Sequence, residues 1–208
     1  METVAKFERE NAEGNLENKF REYFPDGKLI LLKSENIPPN VKEAFENKSK
    51  LFLNWRNYKP NNFEAFFEIS HSNGSKSYVA EQIKAYDTNQ DTERLTYIYD
   101  VDGEKISGYA ELRYKLRYNI SNKSKYFKNK PFVGYNDTEK PYQRKGLGWR
   151  RMRLLNAFAQ IRCNAPLYSD TLLSESAEGL WKKLVKVGKA KKIKEGELDR
   201  YVLTNWQL

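Results

Sequence analysis

The segment Tyr142-Gln143-Arg144-Lys145-Gly146-Leu147-Gly148 has the clearest chemical capacity in this chain. Two glycines one residue apart let backbone N–H groups crowd around an anion. Leu147, Leu154, Leu155, Phe158 and Ile161 follow at helical spacing, so the turn opens an amphipathic helix whose positive dipole end faces the same anion. Phosphate binding is the chemistry this predicts. Arg144 and Lys145 are placed to reach the phosphates, whereas Arg150 and Arg153 are expected on the solvent face of the helix.

Other chemistries find little support. One cysteine, Cys163, excludes an intrachain disulfide, and with the single histidine, His71, it excludes the usual His/Cys zinc clusters. No metal is called for. Cys163 falls near the end of the Leu147 helix, where a small, buried, inert residue is the expectation. His71 stands in His71-Ser72-Asn73-Gly74-Ser75, which reads as an exposed loop. A Ser–His–Asp triad would need it, and nothing nearby points to one.

Several elements must position the glycine turn. Residues 1–24 carry Val4, Phe7, Leu16, Phe20 and Phe24 among charges, an interrupted amphipathic helix that ends at Pro25-Asp26-Gly27. Lys28 to Lys33 is a short strand, and a helix is expected over about 41–57 after Pro38-Pro39-Asn40. Residues 60–90 fit strand or helix equally. Leu95, Tyr97, Tyr99 and Val101 alternate, Asp102-Gly103 marks a hairpin, and Ile106, Gly108, Ala110 and Leu112 alternate again. A basic, Tyr- and Asn-rich insertion covers about 115–130. Phe132 to Asp137 reads as the strand that feeds the glycine turn. Beyond the helix come a short strand at Pro166–Asp170, a helix capped by Ser174 or Ser176 and stopped at Gly188, and a strand from Tyr201 to Trp206.

That succession, with Gln143-x-x-Gly146-x-Gly148 at its centre, resembles the GNAT superfamily of acetyl-CoA-dependent N-acetyltransferases. A second family element is matched by Ala177, Leu180, Trp181 and Gly188: a small residue, then Leu plus an aromatic, then a helix-ending glycine before a strand. The resemblance implies an α/β (α+β) fold, with a mixed, mostly antiparallel central sheet flanked by helices and with splayed central strands. It is read as a single domain over 1–208. Residues 1–27 are an N-terminal helical extension, 28–94 hold the first strand, helices and substrate-side region, and 95–208 form the acyl-CoA-binding core. The family also admits a homodimer paired through exposed strands.

The resemblance implies a function and residues for it. Gln143, Arg144, Lys145, Gly146, Leu147 and Gly148 match the positions that hold the CoA pyrophosphate. Phe132–Asp137 and Leu167–Asp170 match the splayed strands that pair with the pantetheine arm. Ser174 matches a position that contacts CoA near the sulfur, and it equally reads as a helix N-cap. An amine attacks the thioester directly, so positioning and oxyanion stabilisation carry the catalysis. Asp137 is the first candidate for the base, followed by Glu111 and Asp170. Trp181 stands where the family often has a Tyr acid, and an indole N–H is no proton-transfer acid. Tyr168 or Ser169, solvent, or loss of activity are the alternatives, and Trp181 itself reads as core. Acetyl-CoA is the implied co-substrate.

The acceptor side is less legible. With 37 Lys+Arg against 28 Asp+Glu, the net charge is +9, concentrated in 113–130 and 182–194. Such patches attract polyanions, and they equally serve as solvated faces. Phe63, Phe66, Phe67, Tyr114, Tyr118, Tyr126 and Phe127 interleave with Lys and Arg, a texture suited to stacking on bases as well as to ordinary packing. A GNAT-like enzyme modifying DNA or RNA bases, or a non-catalytic nucleic-acid-binding module, is therefore the alternative reading. A hydrophobic content of 39% supports a packed core rather than disorder. No apolar run approaches the roughly 18 residues that span a bilayer, and Met1 to Glu22 lacks an apolar leader-like stretch; a cytoplasmic protein is expected.

Overall fold

The computed structural model describes residues 14–51, 63–85, 92–117 and 130–204. Helix α1 (14–23) leads into strand β1 (Gly27–Leu32), and helix α2 (Pro39–Leu51) follows a short 3₁₀ turn. Four strands come next: β2 (Phe63–His71), β3 (Lys76–Ala85), β4 (Thr92–Asp102) and β5 (Lys105–Arg117). Strand β6 (Phe132–Thr138) and a 3₁₀ turn precede helix α3 (Leu147–Cys163); helix α4 (Glu175–Lys186) and the hairpin β7 (Ala190–Glu195) and β8 (Leu198–Leu203) complete the order. The fold is α+β. Strands β1 to β6 form one antiparallel sheet in sequence order, and β7–β8 a separate two-stranded one.

Both faces of the six-stranded sheet are covered, which is why β4 is buried along nearly its whole length. Its alternate residues go to opposite cores. Ile98, with Ala110 and Leu112 of β5, faces α1 and α3 and meets Phe20, Leu154 and Phe158. Leu95, Tyr97 and Tyr99 face α2 and meet Val41 and Phe45. The period-2 pattern of each strand thus serves two layers. Helix α3 is unusually deep: Arg151 through Ala159, Arg153 excepted, is buried. It ends at Asn164, whose left-handed backbone (φ 48°) lets its N–H reach the Gln160 carbonyl.

Tyr168 links the two sheets. It bridges Phe132 of β6 in parallel and Val202 of β8 in antiparallel. Val133 N–H donates to the Tyr168 carbonyl (3.0 Å), and Tyr168 N–H donates to that of Pro131 (2.9 Å). The strand expected at Pro166–Asp170 is therefore a single bridged residue.

Other expectations change as well. Residues 63–85, ambiguous in sequence, are the β2–β3 hairpin. His71 is not in an exposed loop: it ends β2, is buried, and shares a 2.7 Å hydrogen bond with Ser77 Oγ. Strand β7 was not foreseen, because its lysines, exposed at Lys191, Lys192 and Lys194, mask the alternation. Phe67 and Tyr114, offered as base-stacking candidates, are core residues at 3% exposure. The helical expectation over 1–13 and 52–57, and most of the basic insertion, lie outside the described residues.

Candidate functional site

Between β6 and the chain leading from Tyr168 into α4 lies a cleft of about 590 Å³, within the usual range for small-molecule sites. One wall is β6, Val133 to Thr138. The other runs from Asp170 through Leu173 and Ser174 to Ala177 and Trp181, and Gln143 and Met152 complete the lining. The cleft exists because β6 and the Tyr168 segment meet at one bridge and no further ladder joins them among the described residues. Its lining is mixed in polarity. Met152, Leu180 and Trp181 make an apolar part, whereas Thr138, Gln143, Ser174 and Ser176 are polar.

The β6 wall carries a bulge. Val133 opposes Leu112 and Tyr135 opposes Glu111, leaving Gly134 without a cross-strand partner. A bulged residue drops out of the ladder and turns its backbone groups elsewhere; here Gly134 lines the cleft. A Cβ there would lie 2.6 Å from Arg113 Nε, so any other residue requires the Arg113 side chain to shift.

The glycine turn leads from β6 into α3. Gln143 donates from Nε2 to the Thr138 carbonyl (3.1 Å), closing the loop across the end of β6. Arg144 (φ 63°) and Gly146 (φ 80°) are both left-handed. Such a conformation costs a non-glycine residue about 1 kcal/mol or more and is held by its surroundings. Gly146 is the N-cap of α3. No side chain caps that end and its first turn has no acid, whereas α4 is capped by Ser174, which accepts from Ala177 N–H at 3.3 Å. A Cβ at Gly148 would meet nothing within 4 Å. The start of α3 thus presents amides and a positive dipole end with open space beside it.

The structure brings Asp137, Asp170, Gln143 and Ser174 to the cleft. Asp137 is exposed, and its carboxylate accepts from Thr138 N–H (2.8 Å). Asp170 accepts from Thr171 N–H (2.6 Å). Of the glycine turn only Gln143 lines the cleft, while Arg144, Lys145, Gly146, Leu147 and Gly148 do not, and neither do Glu111 and Tyr168. Glu111 is buried on the α2 face, accepting from Tyr109 OH (2.5 Å) and from Arg113 Nε. Burial, reinforced by that carboxylate, pushes the Tyr109 phenol far above its ordinary value. Burial disfavours the charged Arg113, but Glu111 outweighs it and the guanidinium is held above its usual pKa. Tyr168 has two cations near its ring, Arg200 at 5.3 Å and Lys130 at 5.7 Å. Trp181 is buried and stacks on Tyr201 (5.9 Å, 14°), with one side on the cleft.

A buried polar network behind the cleft was missed by sequence reasoning. Arg151 Nη1 donates to Asp100 Oδ2 (2.6 Å), and both side chains are 0% exposed. Arg151 also donates from Nε to Asn136 Oδ1 (2.9 Å) and from Nη2 to the Asp137 carbonyl (2.7 Å) and to Thr138 Oγ1. Asn136 in turn donates to the Gly148 carbonyl (3.2 Å). Asp100 Oδ1 takes Ser77 Oγ–H (2.5 Å) and pairs with Arg150 (3.2 Å). Arg150 and Arg153 are therefore not on a free solvent face: each is largely buried, and Arg153 pairs with Asp26 (2.8 Å). Glycines inside strands, Gly108 and Gly134, were the available signal, because such residues mark a close approach.

Burial drives His71 down to about 4, so it is neutral at pH 7. It pushes the Cys163 thiol up to about 12. Among the described residues no group of His, Cys, Asp and Glu could hold a metal ion, and no helix is long and apolar enough to cross a membrane. No family model matches the chain, and no curated protein matches it in sequence.

Proposed function

We propose that this chain is an acyl-CoA-dependent N-acyltransferase of the GNAT type, moving an acetyl or related acyl group to an amine by direct attack in a ternary complex. The observation that carries the reading is the cleft between β6 and the Tyr168 segment, with the uncapped start of α3 adjoining it. A phosphate held by the 143–148 turn would leave the attached arm to run along β6 into the apolar part of the cleft. The bulge at Gly134 supplies backbone groups free of the ladder, suited to an oxyanion that develops at the thioester carbonyl.

In this reading Asp137 receives the amine proton through a water, and Asp170 is the second candidate. The amine nitrogen forms a bond to the thioester carbon, the carbon–sulfur bond breaks, and the thiolate takes its proton from solvent. Trp181 shapes the cleft and transfers no proton. Glu111, engaged on both oxygens, is left to organise the tyrosine cluster. Burial of Phe67 and Tyr114 removes two of the aromatics that favoured base stacking, so the enzyme reading stands ahead of the nucleic-acid module. The experiment is a thermal melt with acetyl-CoA. A ligand bound by the native state raises the melting temperature as its concentration exceeds Kd, and no shift at millimolar acetyl-CoA overturns the reading.

A further inference from the structure

Arg151 makes four hydrogen bonds, and only one of them goes to a charged group. That partner is the Asp100 carboxylate, which also pairs with Arg150. The other three go to Asn136, Asp137 and Thr138, consecutive residues that all line the cleft. Arg151 stands three residues after Gly148, and Asn136 closes the circuit by donating to the Gly148 carbonyl. The guanidinium therefore ties β4, the end of β6 and the start of α3 into one body, and Gly108 of β5 leaves the space it occupies.

We infer that Arg151 is a positioning residue that fixes residues 136–138 of the cleft wall against the glycine turn. For what the cleft binds, the inference rests on the acyl-CoA reading; for the contact itself it does not. The bonding pattern separates positioning from plain stability. A buried ion pair could be satisfied by any cation facing Asp100, but only a planar fork with five donors reaches a carboxylate, an amide oxygen, a carbonyl and a hydroxyl together. Lysine keeps the charge and loses the fork. Its loss of ligand affinity would come from a wall that moves relative to the turn, and a small displacement between two parts of one site is costly.

The test compares wild type, Arg151→Lys and Val79→Ala, the last a core change on β3 that does not line the cleft. Acetyl-CoA affinity is measured by calorimetry and backbone hydrogen exchange by mass spectrometry, both against the melting temperature. The expected result is about a tenfold or greater loss of affinity in Arg151→Lys. Exchange should also quicken across 136–149 more than across β2–β3, while Val79→Ala binds as wild type despite a comparable loss of stability. Unchanged affinity in folded Arg151→Lys overturns the inference. If wild type itself binds no acetyl-CoA, the acyl-CoA reading falls, and exchange decides alone: local quickening upholds the positioning role and its absence ends it. Should Arg151→Lys fail to fold, Thr138→Val removes one bond of the network and Asn136→Ala two, its link to the Gly148 carbonyl included, and both are read the same way.

Discussion

Gly108 lies against the guanidinium of Arg151: a Cβ on this glycine would stand 2.1 Å from Nη1, 2.7 Å from Cζ and 2.9 Å from the Asp137 carbonyl oxygen. The side chain it would strike is pinned by four hydrogen bonds and cannot swing away. Gly108→Ala is therefore expected to cost roughly 2–4 kcal/mol, at or above the usual penalty for overpacking. Gly179→Ala is the contrast. It sits inside α4 with nothing within 4 Å of an added Cβ, so alanine should stabilise by about 0.5–1 kcal/mol through helix propensity. Urea midpoints of the two variants should move in opposite directions.

Asp100→Ala leaves the Arg151 charge buried without its carboxylate and strips Ser77 and Arg150 of a partner. Breaking one side of a buried pair costs about 3–5 kcal/mol. The loss should exceed that of removing Asp26, which pairs with Arg153 but is half exposed; surface pairs contribute about 0–1 kcal/mol. Denaturation of the two variants side by side checks the ranking.

His71 makes stability depend on acidity in a defined window. Its folded pKa, about 4, lies below the ordinary 6.5, chiefly through burial and then through Arg150, with Asp100 and Asp26 opposing and Arg153 assisting. The unfolded chain therefore binds this proton first. The stability that depends on neutral His71 is complete above pH 6.5 and is lost as pH falls toward 4, by up to about 1.4 kcal/mol per unit. In His71→Gln that share of the slope disappears. Carboxylates titrate in the same range, so the decisive quantity is the difference between wild type and variant from pH 7 to 4. A constant difference refutes the assignment.

Cys163, with its thiol pushed up to about 12 by burial, is expected to be inert. At pH 8 its thiolate fraction is on the order of one in ten thousand, and the thiolate is the reactive form. A disulfide reagent such as DTNB should react with the native protein at least about a hundredfold more slowly than with the urea-unfolded chain.

How much of this was legible follows from where side chains point. The alternation at Leu95–Val101 and Ile106–Leu112 fixed β4 and β5, and Asp102-Gly103 their hairpin, because each rests on local periodicity and turn chemistry. Ser174 as the α4 cap is equally local. Residues 63–85 resisted because both faces of β2 and β3 are partly covered, by α1 and α3 on one side and α2 on the other, which blurs the polar–apolar alternation. Arg151 was illegible for another reason. It is one of three arginines within Arg150–Arg153, and nothing local distinguishes the one that faces Asp100, 51 residues away. Glu111 and Asp137 looked alike as strand carboxylates; only the pairing of β5 with β6 places one in a tyrosine cluster and the other on the cleft.

Gly148 offers the cleanest separation of fold from ligand. It lies in the first turn of α3, where an added Cβ meets nothing within 4 Å and the backbone is not left-handed. Gly148→Glu gains helix propensity over glycine, about 0.5–1 kcal/mol, and places a carboxylate at the positive end of the helix, worth about another 0.3–1 kcal/mol. The variant should melt at or above the wild-type temperature. The same carboxylate fills the open space beside the uncapped amides and repels a phosphate that approaches them. Acetyl-CoA is accordingly expected to raise the melting temperature of wild type and to leave that of Gly148→Glu unchanged, with calorimetry showing at least about a hundredfold loss of affinity. Gly146 cannot be used in this way, since its φ of 80° strains any side chain. If Gly148→Glu is folded and binds acetyl-CoA as wild type does, the start of α3 is not the phosphate site.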